Sequence, residues 1–97
     1  MRFIAFFVFV ASASATTIFP STRLNCQPQD LPPISACGNT ELDIESNVID
    51  GARIVYTGQT VTWFSGAGCQ GINSATIGAS TDCFMLPFVP RCVKIAC

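Results

Sequence analysis

The stretch from Gly51 to Cys97, GARIVYTGQTVTWFSGAGCQGINSATIGASTDCFMLPFVPRCVKIAC, decides the fold. Two segments rich in β-branched and aromatic residues, Ala52 to Tyr56 and Val61 to Phe64, flank Thr57-Gly58-Gln59-Thr60. That arrangement predicts a β-hairpin closed by a tight reversal. Period two puts Ile54 and Tyr56 on one face of the first strand, with Arg53 and Val55 on the other. Val61 and Trp63 likewise oppose Thr62 and Phe64, and Trp63, an aromatic in a strand, reads as core before interface. Gly66-Ala67-Gly68-Cys69-Gln70-Gly71 follows, and its glycines predict a second reversal, which a cystine would pin. Asn73 to Ile77 and Val93 to Ala96 read as further short strands, with Gly78 to Asp82 as a turn between them and Asp82 capping it.

Working outward toward the start, Thr16 to Phe19 is short and β-favouring, and Pro20 ends it or places it at an edge. Ser21 to Asn39 shifts to Pro, Ser, Gln and Asn, with Pro28, Pro32 and Pro33 denying a ladder its donors, so a loop-rich excursion is expected there. Glu41-Leu42-Asp43-Ile44-Glu45 alternates polar and apolar, which predicts a half-buried strand with Leu42 and Ile44 inward. Ser46 to Gly51 reads as the turn that follows. About seven short strands with glycine turns at close intervals define an all-β class, a sandwich or small barrel.

Met1-Arg2, the apolar run Phe3 to Ala11 and Ser12-Ala13-Ser14-Ala15 have the three parts of an export signal. The run has nine residues, whereas a membrane span needs roughly 20. Cleavage is expected after Ala15, with Ala13 as the alternative, so that residues 1–15 are the signal and 16–97 a single domain. A secreted, extracellular protein with six cysteines in so short a chain carries a disulfide framework. Zinc is disfavoured, because the chain has no Cys-x-x-Cys pair and no histidine.

The same stretch resembles the macadamia antimicrobial peptide family of plants. The likeness lies in Gly51, Tyr56-Thr57-Gly58-Gln59-Thr60, Ala67-Gly68-Cys69, Gly71, Gly78, Ser80, Cys83, Pro87-Phe88 and the terminal Cys97. The resemblance implies a βγ-crystallin-like double Greek key, stabilised by disulfides, with Thr16 to Phe19 as the first strand of the first key. It also implies one bridge directly, Cys26–Cys83. The family has two nearly adjacent cysteines where this chain has only Cys37, one bridged to the terminal cysteine and one to the counterpart of Cys69, and it has none at Cys92. Cys37 can take only one of those bridges. Pairing it with Cys69 would force Cys92 onto Cys97, about 16 Å away along an extended strand, whereas bridged Cα atoms lie about 4.4–6.8 Å apart. Cys37–Cys97 with Cys69–Cys92 is therefore preferred.

Charge is sparse: 5 basic and 6 acidic residues in all, and without Arg2 the remaining 4 basic against 6 acidic leave a net of −2. Such a balance argues against nucleic acid as a partner. It departs from the strongly basic members of the family. Without histidine, serine–histidine and cysteine–histidine catalysis are impossible, and no enzyme activity is expected. Asp43 and Glu45 on one strand face have the look of a glycosidase pair, but carboxylates on a solvent face are more often simply hydrated. No calcium motif of the βγ-crystallin type, other cofactor signature or glycosylation sequon is present.

The remaining candidate is a proline-bounded contact loop, Phe84, Met85, Leu86, Phe88 and Arg91, with Val89 beside them. Its apolar side chains either present a patch to a partner or fold back to close the barrel, and the second is preferred. Four functions fit a secreted, cysteine-rich, non-enzymatic monomer. The first is antimicrobial, antifungal or toxin-like action at a microbial cell surface. Similarity to small secreted cysteine-rich fungal effectors suggests a second, binding of a host extracellular or cell-wall component. The others are protease inhibition through the loop and a purely structural role.

Overall fold

The computed structural model describes residues 15–97, so the expected signal at residues 1–15 lies, but for Ala15, outside the described residues. Seven strands build it: β1 (Thr17–Ser21), β2 (Gly38–Glu41), β3 (Gly51–Val55), β4 (Val61–Gly66), β5 (Gln70–Ile77), β6 (Thr81–Met85) and β7 (Cys92–Ile95). They form a three-stranded sheet in the order β1-β3-β6 and a four-stranded sheet in the order β2-β7-β4-β5, every pairing antiparallel. The described residues contain no helix. This is the all-β sandwich expected from the alternation of short apolar segments.

The two halves of the chain share one connectivity. In the first, β1 pairs with β3 and, through a single bridge between Ile18 and Ile34, with the Pro-rich segment, whose amides exchange bonds of 2.8 and 2.9 Å with β1. In the second, β4 pairs with β5 and β7. Each half then lends its third strand to the other sheet, β2 to β7 and β6 to β3. Two such Greek keys, interlocked by exchanged strands, are the architecture the resemblance implied.

The hairpin expected from Ala52 to Phe64 is not formed. β3 is flanked by β1 and β6, and β4 by β5 and β7, so residues 56–60 cross from one sheet to the other. The reason is apolar burial. Ala52 and Ile54 face inward from one sheet while Val61 and Trp63 face inward from the other, and only opposite sheets let these faces cover each other. Thr16 locks the crossing. Its hydroxyl donates to the Gln59 carbonyl at 2.8 Å and accepts from the amides of Thr57 and Gln59 at 3.1 and 3.3 Å. Ile18, Ile49, Val93 and Ile95 complete the core.

Three other expectations are corrected. The strand at Glu41–Glu45 lies earlier, at Gly38–Glu41, because Asp43 turns its carboxylate onto the chain, accepting from the amides of Glu45 and Ser46 and the Ser46 hydroxyl. Such an Asx turn satisfies the backbone locally and competes with a ladder. Asp43 and Glu45 therefore do not share a strand face. Asp82 caps no turn; it lies exposed within β6. Of the two placements expected for Pro20, ending β1 is overturned and the edge holds: it sits inside β1, an edge strand of the three-stranded sheet. By period two its nitrogen faces the side on which Ile18 meets Ile34, away from β3, so the missing N–H costs no bond to β3.

Candidate functional site

Three disulfides pin the long loop of the first half, the entrance of β2, the β4–β5 turn and the chain end. Cys26–Cys83 ties the long loop of the first half to β6, with Cα atoms 5.6 Å apart, and Cys37–Cys97 ties the entrance of β2 to the chain end at 5.7 Å. Cys69–Cys92 joins the β4–β5 turn to the start of β7 at 4.8 Å. The first two link the two Greek keys to each other; the third lies within the second. With partners 57, 60 and 23 positions apart in sequence, the loop-entropy account assigns each bridge about 3–4 kcal/mol.

Local sequence makes room for these bridges. A Cβ on Gly51 would lie 2.7 Å from both the Cys26 Sγ and the Arg23 carbonyl oxygen, so only glycine lets β3 pass under that cystine. Cys26 and Cys69 themselves have φ of 60° and 56°, a left-handed conformation that L-residues resist. Glu41 reinforces the third bridge: opposite Cys92 on β7, it accepts the Gly68 amide on both carboxylate oxygens, at 2.9 and 3.1 Å.

The expected contact loop is divided between surface and core. Phe84, Leu86 and Phe88 pack against the core while Met85 stays 63% exposed and Val89 50% exposed. Pro90 is buried and Arg91 exposed. Backbone bonds fix the segment at both ends, from Leu86 N–H to the Asp50 carbonyl and from Arg91 N–H to the Phe64 carbonyl. The segment is thus a crossover that closes the sandwich and presents Met85, Val89 and Arg91 outward.

A second feature had no signal in the linear sequence. Leu31, Pro33, Ile34, Leu42 and Ile49 line an open groove of about 310 Å³, with the Thr40–Asp43 segment along it. It forms where the Pro-rich segment beside β1 meets β2 at the open side of the sandwich, two segments whose proximity only the topology reveals. Its floor is apolar and its bordering charges are acidic, Glu41 and Asp43. Hydrogen bonds, first from the Ser46 hydroxyl and then from the Glu45 and Ser46 amides, hold the Asp43 carboxyl below its ordinary range. The Thr22 hydroxyl and amide do the same for Asp30 in the neighbouring loop.

The described residues contain no group of three or more His, Cys, Asp or Glu side chains placed to hold a metal ion. All six cysteines are consumed in bridges. What the surface offers chemically is contact: apolar side chains, a shallow groove and scattered charges on a frame pinned by cystines.

These features define a small, cystine-stabilised, double-Greek-key protein. The chain belongs to the MiAMP1 family, the macadamia antimicrobial peptide 1 family, whose model matches residues 24–97. No curated protein and no solved structure matches it.

Proposed function

We propose that this protein is a secreted antimicrobial, and specifically antifungal, protein that acts by contact and without catalysis. Membership of an antimicrobial peptide family carries the reading. The framework of three bridges supports it, since such a framework suits an oxidising extracellular environment. The same bridges and the export signal expected at residues 1–15 support secretion. The contact surface proposed is the outward part of the crossover, Met85, Val89 and Arg91, where apolar and cationic groups lie within one short segment. With 4 basic against 6 acidic residues outside the signal, simple attraction to anionic lipid is not the driving force.

The test is growth of filamentous fungi in the presence of the oxidised protein at low and raised salt. Inhibition that survives added salt is expected. Absence of inhibition at high micromolar dose removes the antifungal reading. A second reading, binding of a host or cell-wall component, is favoured by the apolar groove with its acidic border. It is distinguished by retention on immobilised wall material or host extracellular protein without growth inhibition.

A further inference from the structure

A sheet edge exposes unpaired amides and carbonyls, and proteins protect such edges with charge, proline, irregularity or brevity. Three of the four edges here are protected. Beside β1, the Ile34 segment follows Pro32 and Pro33 and bridges Ile18. β6 carries Asp82, and its register with β3 shifts between Ala52 and Ile54. β2 is four residues long and contains Glu41.

The fourth edge carries neither charge nor proline, and its one irregularity, a register shift against β4, is confined to the turn end before Ser74. β5 has eight residues, QGINSATI, with no charge and no proline. It lies inside a run from Ile54 to Thr81 without a single charged side chain. Its Ile72 is 98% exposed. The direction of its free groups follows from β4, whose Thr60 flank and Phe64 give their carbonyls to Ala96 and Arg91 on the β7 side. Val61 and Trp63 therefore pair toward β5, with Ile77 and Ala75, which leaves the amides and carbonyls of Ser74 and Thr76 pointing to solvent.

We propose that this edge pairs with β5 of a second copy of the chain, antiparallel and about a two-fold axis at Ser74. The sequence matches itself in that register. Ser74 faces Ser74 of the other copy, and Ile72 covers the methyl group of Thr76 at both ends. Ser74 and Thr76 lie on the outer face, since Ala75 and Ile77 point inward, and Ile72, inside the register shift, is exposed. Two copies of net negative charge repel over most of their surfaces, and the uncharged run is where they approach without that penalty. The two four-stranded sheets then become one of eight strands. The expected monomer gives way to a weak, concentration-dependent dimer, since one strand pair buries less area than a permanent interface.

Sedimentation velocity on the oxidised protein from low micromolar to about 1 mM tests this. The mass is expected to rise toward that of a dimer, with little dependence on salt. Ser74→Lys sets like charges face to face, and Ser74→Pro removes a donor that β4 does not use; each is expected to weaken association about tenfold or more. Asn39→Lys, on β2 at the opposite edge, is expected to leave it unchanged. If Ser74→Pro fails to fold, Ser74→Lys carries the test alone, because its side chain reaches into solvent. A monomer mass at every concentration, or a dimer that Ser74→Lys leaves intact, overturns the proposal.

Discussion

At the scale of single residues, side chains that bond their own neighbourhood do more here than ion pairs. Thr16 ties the sheet-to-sheet crossing, Glu41 holds the β4–β5 turn, and Asp30 and Asp43 each organise a loop. The last two carry a pH consequence. Both carboxyls are held below their ordinary value of 3.8 by hydrogen bonds, first from the hydroxyls of Thr22 and Ser46 respectively. A carboxyl with a lower pKa in the folded state adds stability above the unfolded value, and that stability is lost as pH falls through the folded one. The urea midpoint is therefore expected to hold steady down to about pH 4 and to decline below it. Asp30→Asn combined with Asp43→Asn is expected to flatten the decline. A double variant with an unchanged acid limb would place the titration elsewhere.

Elements show where local pattern suffices and where it fails. The turn at Gly66–Gly71 was legible because its glycines are obligatory: Gly71 has φ of 117°, and a Cβ there would lie 2.6 Å from the Ser65 Oγ. Gly71→Ala is expected to cost about 2–3 kcal/mol in chemical denaturation. Gly78→Ala, whose Cβ would meet only the Thr60 Cγ2 at 3.7 Å, is expected to stay within about 0.5 kcal/mol. Strand alternation likewise sets Val61 and Trp63 on one face and parts Ile54 from Arg53, and it is the faces of Ile54, Val61 and Trp63 that turn inward. What alternation does not encode is which strand lies beside which. β3 and β4 are consecutive, apolar and separated by a turn-like link, yet they sit in different sheets, a choice made by the burial of the whole core. β6 reads as turn and loop because TDCFM offers no clean alternation, and its register against β3 is broken in the structure as well. The groove was invisible because Leu31 and Leu42 meet only after β2 joins β7.

For the whole molecule, the bridges substitute for a core too small to suffice. Among the described residues ten hydrophobic side chains are buried, two of them half-cystines, and a domain of this size draws only about 3–5 kcal/mol net from burial. Two bridges cross between the Greek keys, so the exchanged strands β2 and β6 are secured covalently as well as by their ladders. The surface is then free to vary in charge within one architecture. Mass spectrometry of peptides from the oxidised, non-reduced protein tests this frame most directly. Linked pairs Cys26–Cys83, Cys37–Cys97 and Cys69–Cys92 with no free thiol are expected, whereas a Cys92–Cys97 link or titratable thiols would contradict it.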